Sequence, residues 1–202
     1  MNIKRLSGKT AYLIAAGAVA LTAFLGAGRT ANAAEEELRE ASFCSFVIPP
    51  QFEPGQEKGL FINTMHPMES STIRYSVYYN GLDVVLTNKE KQELKDHGGP
   101  TISNESERLT KEMYEQKVSE AYNEQYGEDV GFAVSSFDNI TIDGYPGFKI
   151  ESSYKAGDQE TIYQTVFMML SKYRTFTVTY QRAEDDDCEE AFSASQATIH
   201  VH

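Results

Sequence analysis

Thr161-Ile-Tyr-Gln-Thr-Val-Phe-Met-Met-Leu170 is the stretch that decides the fold. Both of its alternating sets are apolar, with Ile162, Val166 and Met168 on one and Tyr163, Phe167 and Met169 on the other. Side chains of a strand point alternately to opposite faces, so a strand apolar on both sets is a central one covered on both sides. The sheet that holds it is therefore sandwiched or wrapped by helices. Ser171-Lys172-Tyr173 turns the chain into Thr175 to Arg182, where Phe176, Val178 and Tyr180 alternate with Thr175, Thr177 and Thr179, the period of a half-buried strand. On the other side, Gly157-Asp158 separates the central strand from one that sets Phe148, Ile150, Ser152 and Tyr154 against Lys149, Glu151 and Ser153. Phe132 to Asp143 is a further extended stretch, broken by Asp143-Gly144-Tyr145-Pro146-Gly147.

Toward the start of the chain, Ile73, Tyr75, Val77 and Tyr79 alternate with Thr72, Arg74, Ser76 and Tyr78, and Asn80-Gly81 ends that strand. Leu60 to Asn63 reads as a short strand after the turn-rich Glu53-Pro54-Gly55, and Phe46-Val47-Ile48 as another that stops at Pro49-Pro50. The middle is helical. Asn88 to His97 forms one short helix ended by Gly98-Gly99-Pro100; a longer one runs from Glu105 to Tyr126, capped by Asn104 with Glu107 three residues on, and stopped by Gly127. Leu109, Met113, Val118, Ala121 and Tyr122 make its apolar stripe. A last helix spans Asp187 to Ala197, followed by Ile199-His200-Val201.

Lys4, Arg5 and Lys9 precede an uncharged run from Ala11 to Ala27, and Ala31-Asn32-Ala33 offers a small-residue cleavage site. The run is short for a membrane span, which takes about 20 apolar residues, so residues 1–33 read as a signal peptide and the mature chain as exported. Residues 34–42 form an acidic arm, and 43–202 one domain large enough for its own core. The formal charge is −12, and loss of the cationic leader deepens it. Such a chain repels nucleic acid and anionic membrane, and no stable membrane insertion is expected after cleavage. In an oxidising compartment Cys44 and Cys188 are expected to pair, a closure stabilising by ~4 to 5 kcal/mol in the chain-entropy model; the alternative is two separate thiols.

Ile48-Pro49-Pro50-Gln51-Phe52, Phe61-Ile62-Asn63, the mid-chain helix, Ile142-Asp143-Gly144-Tyr145-Pro146-Gly147, Gln164-Thr165-Val166, and Phe192 with Ser195 and Thr198-Ile199 together resemble PsbP/Mog-type proteins. The resemblance covers most of residues 43–201 and lies in patterning and the Gly-Tyr-Pro-Gly turn. It implies an α+β fold, a single antiparallel sheet of about six strands flanked by helices on both faces, in proteins that mostly bind other macromolecules. The group offers no shared chemical motif to carry over.

Motifs for a nucleophile elbow, phosphate loop, zinc peptidase, dithiol pair or EF-hand are absent. His66, His97, His200 and His202 are scattered; His200 and His202 share a strand face but make a poor metal site. Asp185, Asp186 and Asp187, with Glu184, Glu189 and Glu190, are candidate calcium ligands, against the simpler reading of a solvated acidic run that caps the last helix. Cys188 amid carboxylates has the wrong surroundings for a reactive thiolate. Asp138 and Asp143 could be imagined as a glycosidase pair, though turn and strand-end roles explain them. Among twelve tyrosines, Tyr78, Tyr79 and Tyr145 are the candidate contact surface, because consecutive Tyr78 and Tyr79 cannot both point to one face. The expectation is a secreted or envelope accessory protein without catalytic site, cofactor or metal, acting on a protein or cell-wall component; the alternative is a secreted hydrolase with an unrecognised carboxylate pair.

Overall fold

The computed structural model describes residues 38–64, 71–79, 89 and 104–202. The expected signal peptide, most of the helix expected from Asn88 to His97, and His66 and His97 lie outside the described residues. In chain order come β1 (Cys44–Ser45), β2 (Phe52–Pro54), β3 (Leu60–Asn63) and β4 (Thr72–Tyr79). A 3-10 turn (Glu105–Arg108), α1 (Lys111–Tyr126), β5 (Ala133–Ile142), β6 (Tyr145–Tyr154), β7 (Ile162–Leu170), β8 (Arg174–Ala183), α2 (Glu189–Gln196) and β9 (His200–Val201) follow.

Seven strands form one sheet in the order β2-β3-β4-β8-β7-β6-β5, every neighbouring pair antiparallel, while β1 and β9 pair as a separate ribbon. Seven replaces the six expected because Phe52–Pro54, read from sequence as turn, pairs with β3. Its Pro54 is tolerated because β2 is an edge. The strand expected at Phe46 to Ile48 instead sits at Cys44–Ser45, opposite Val201 and His200.

β7 carries out the division that its sequence announces. Ile162, Val166, Met168 and Leu170 join a core cluster with Tyr114, Val118 and Tyr122 of α1. Phe167 and Met169 join a second cluster with Phe176, Val178 and Tyr180 of β8, Phe192 of α2, and Cys44, Ile199 and Val201. Successive β7 side chains thus feed different cores, as the two-residue period requires.

The longer helix is broken near its start. Asn104 caps the 3-10 turn, its Oδ1 accepting from Ser106 N–H at 3.1 Å; Leu109 then leaves helical geometry and Thr110 caps α1 afresh, accepting from Met113 N–H at 3.3 Å. Restarting at Lys111 rotates the buried stripe onto Tyr114, Val118 and Tyr122 and leaves Met113 exposed. Tyr122 meets Phe132 edge-on at 5.5 Å and Tyr154 at 4.7 Å, contacts worth about 0.5–1.5 kcal/mol each beyond their area. The expected stop is present: Gly127 closes α1 with φ of 73°.

Between β5 and β6 the two-residue loop Asp143-Gly144 has φ of 50° and 79°, the doubly positive pattern that matches hairpin twist. Three residues on, a Cβ at Gly147 would lie 2.0 Å from the Met168 carbonyl oxygen, so only glycine lets β6 approach β7 there. The resemblance motif is therefore a hairpin requirement.

Candidate functional site

Around the two-residue strand Cys44–Ser45 burial alternates: Cys44 belongs to the second core cluster and Phe46 and Ile48 pack against it, while Phe43 and Val47 are 53% and 60% exposed. These are the two most exposed large apolar side chains among the described residues. Across the ribbon, Phe43 stacks on the His202 ring at 4.6 Å, and Ser45 Oγ lies 2.9 Å from His202 Nε2. His200 opposes Ser45 and its Nδ1 lies 3.1 Å from Asp143 Oδ2. The outward side of the ribbon is thus an apolar and imidazole strip.

The backbone beneath the strip is held at many points. Val47 N–H donates to Thr198 Oγ1 at 2.8 Å, and Val47 C=O accepts from Ser195 Oγ at 2.6 Å. Ser195, buried on α2, is 3.0 Å from the Tyr180 hydroxyl; since it donates to Val47, it accepts from Tyr180. Asp143 Oδ2 accepts from Val201 N–H at 2.9 Å, and that bond, followed by the one from His200, holds its carboxyl below the ordinary carboxylate range. Arg39 donates to Asp143 C=O at 2.8 Å and lies over the Tyr145 ring at 4.6 Å. Arg174 donates to the carbonyls of Ala41 and Ser42 at 2.9 and 2.7 Å, so residues 39–42 of the expected acidic arm lie against the β7–β8 turn. An exposed side chain on a backbone fixed this way meets a partner with little ordering cost.

The expected contact tyrosines are placed differently. Tyr78 and Tyr145 are each only 8% exposed, Tyr78 as a core residue and Tyr145 beneath Arg39 with its hydroxyl donating to Glu40 C=O at 3.1 Å. The side chain of Tyr79 lies outside the described residues. Sequence reasoning passed over Phe43 and Val47 because Phe46-Val47-Ile48 reads as a short strand apolar at every position, and Phe43 to Ile48 carries no polar alternation to mark an outward set.

Cys44 and Cys188 form no disulfide, which corrects the expected pairing. Both are buried in the second core cluster, with different hydrogen-bond partners. The Cys188 sulfur takes Asn63 Nδ2 at 3.2 Å and Ser71 Oγ at 3.0 Å, near the β3–β4 end. Cys44 lies by the ribbon, where burial first and Asp143 second push its thiol up to about 12, and Tyr75 hydrogen-bonds its backbone. The compartment argument gave a reason to pair and no geometry in which to do so.

The three aspartates do not face one space. Asp186 is buried, its Oδ2 accepting from Ser71 Oγ at 2.9 Å and Ala183 N–H at 3.3 Å, whereas Asp185 and Asp187 are exposed. Neither Asp186 nor Asp187 caps α2, whose N-cap is Cys188. Among the described residues no group of three or more His, Cys, Asp and Glu is placed to hold a metal ion. Asp138 is bonded to Ser136 on exposed β5, while Asp143 is engaged in the ribbon. The ribbon's serine and carboxylate contact different imidazoles, so they form no single relay through one ring.

No family model matches the sequence, and no curated protein matches it. Among solved structures, the fold is similar to the solution structure of cyanobacterial PsbP (CyanoP) from Synechocystis, with a TM-score of 0.50 and 14% identity over 86% of this chain and 98% of that one. Looser likenesses are LpqN of Mycobacterium tuberculosis, involved in cell envelope biogenesis (TM-score 0.41, 13% identity, 80% of this chain and 84% of that one), and a protein of Bacteroides thetaiotaomicron (TM-score 0.39, 11% identity, 79% and 45%). The class is a PsbP-like α+β fold built on an antiparallel sheet. At this identity the likeness defines the fold alone, and the PsbP/Mog resemblance read from the sequence holds at that level. No helix among the described residues is long and apolar enough to cross a membrane.

Proposed function

We propose that this chain is an exported accessory protein of the cell envelope or extracellular space, without a catalytic site, that docks a protein or cell-wall partner through the β1–β9 ribbon. Residues 1–33 act as a cleaved signal peptide, 34–42 as a lead-in, and 43–202 as one domain in which α1 and α2 cover opposite faces of the sheet. The observation that carries this reading is the ribbon itself: Phe43 and Val47 are exposed on a backbone hydrogen-bonded to α2 and the residues after it. Two large apolar side chains turned outward at the ends of a hydrogen-bonded strand support a contact role there. The net charge of −12 supports a partner other than nucleic acid.

The test compares capture by the mature protein with capture by the double variant Phe43→Ser, Val47→Ser and by the control Tyr163→Ser, which removes another exposed ring at the far end of β7. Loss of the same bound species by the double variant only, at unchanged melting temperature, supports the ribbon. Equal capture by all three proteins rejects it.

A further inference from the structure

The two edges of the sheet are built differently. At one, β2 is three residues long and ends in Pro54, which has no N–H to offer a further strand. At the other, β5 runs ten residues without proline or lysine, and Asp138 is its one charge. Among the described residues no strand lies beyond β5.

Register fixes which backbone groups of β5 are left over. Ile142 and Tyr145 close the two-residue loop and exchange hydrogen bonds, and bonded and non-bonded pairs then alternate back along the hairpin. Thr141, Asn139 and Phe137 thus turn N–H and C=O away from β6, a phase consistent with Pro146, which has no N–H to give, opposite Thr141. Past the bulge between Val134 and Ser136, the outward phase falls on Val134, whose N–H donates to Glu115 Oε2 of α1 at 2.8 Å. The helix therefore closes the start of this edge. Ser136 to Ile142 has no strand beside it among the described residues, and Asp138, Asn139 and Thr141 are exposed.

We propose that this edge binds a second copy of the chain, β5 against β5, joining two seven-stranded sheets into one across a twofold axis. Successive strand residues point to opposite faces, so in a symmetric antiparallel pair one residue must face its own copy. Asn139 is the midpoint of Ser136 to Ile142 and lies in the outward phase. With Asn139 on the axis, Phe137 stands opposite Thr141, Asp138 opposite Ile140 and Ser136 opposite Ile142, and each outward N–H and C=O meets its counterpart. The two Asn139 amides, each donor and acceptor, meet across the axis. Asp138 faces isoleucine there, whereas an axis through Asp138 would set like charges opposite one another. At each end Val134 comes opposite the partner copy's Gly144, so Glu115, bound to Val134 N–H, approaches the end where Arg39 is bound to Asp143 C=O, and opposite charges meet. The chain's overall negative charge opposes pairing but is screened beyond about 8 Å at physiological salt, and the paired segment itself carries only Asp138. Pro54 guards the other edge, so growth stops at two copies.

Sedimentation of the mature protein from micromolar to near-millimolar concentration tests the pairing, with Asn139→Pro and the ribbon variant Phe43→Ser, Val47→Ser alongside. Wild type and the ribbon variant form a dimer. Asn139→Pro removes an outward donor that β6 does not use, so it dimerises roughly tenfold more weakly at unchanged melting temperature. Register is read by crosslinking in oxidised glutathione, which also serves as the readout should Asn139→Pro not fold. In Asn139→Cys the two facing Cα atoms are about 5.5 Å apart and a disulfide joins the copies; in Thr141→Cys they are about 14 Å apart and none forms. A protein monomeric throughout, equal linking by both cysteine variants, or a dimer lost in the ribbon variant and kept in Asn139→Pro overturns the proposal. The last of these leaves the ribbon reading standing.

Discussion

Replacing Ser195 by alanine tests how the exposed Val47 is held. The serine hydroxyl accepts from Tyr180 and donates to the Val47 carbonyl, so one substitution strips both ends of the chain of hydrogen bonds. Val47 lies at the surface and water can replace its donor, so little is lost there. Tyr180 is almost wholly enclosed, and its hydroxyl is left buried and unmade at a cost of about 1–3 kcal/mol. Taking about 2 kcal/mol, and about 2–4 °C per kcal/mol for a domain of this size, Ser195→Ala lowers the melting temperature by roughly 4–8 °C. Tyr180→Phe removes the hydroxyl together with its need for a partner, so it costs only about 1 kcal/mol, and the double variant is less destabilised than the sum of the two. Melting curves of the three variants, with hydrogen exchange reporting local opening around Val47, provide the assay. A Ser195→Ala shift under about 1 °C, or strict additivity, would refute the argument that this serine couples β8 to the ribbon.

Other outcomes follow from the same contacts. Intact protein alkylates at neither cysteine at pH 8 and at both once denatured without reductant, as measured by mass; a disulfide-protected mass would restore the pairing rejected above. Because burial raises the Cys44 thiol from 9.0 to about 12, the unfolded chain ionises first, so stability falls as pH rises from about 9 toward 12; Cys44→Ala flattens that decline in an alkaline melting series, and an unchanged slope contradicts it. Gly147→Ala drives a Cβ into the Met168 carbonyl and costs more than about 3 kcal/mol, whereas Gly127→Ala, left-handed but in open space, costs about 1–2 kcal/mol. Equal denaturation midpoints for these two variants would show that the close approach of β6 to β7 is absent.

Much of the sheet was legible because its signals are local. β4 matches the predicted Thr72 to Tyr79 end to end, β7 and β8 lie within one residue of prediction, and the double-sided apolarity of β7 reports two cores without any three-dimensional information. The misses arise where tertiary contacts overrule local pattern. Phe52–Pro54 is a strand because β3 offers it a ladder, and α1 rephases because Leu109 steps out of the helix before Thr110 recaps it. Tyr78 fails as a contact residue although it belongs to the polar alternate set of β4, because that side of the sheet is itself largely buried. The same fact hides the burial of Thr177 and Gln181: period two separates two faces but does not say which of them meets water. The thiols were misjudged for a different reason, since redox compartment argues for pairing in general and the fold puts Cys44 and Cys188 against different partners.

Site-specific photo-crosslinking on the producing cells tests the central claim most directly, with the crosslinker at position 47 and a control at position 163. The account predicts one discrete, ultraviolet-dependent adduct from position 47 and none from position 163. Adducts of equal yield at both positions, or at neither, would contradict the claim that the ribbon is the working surface of this protein.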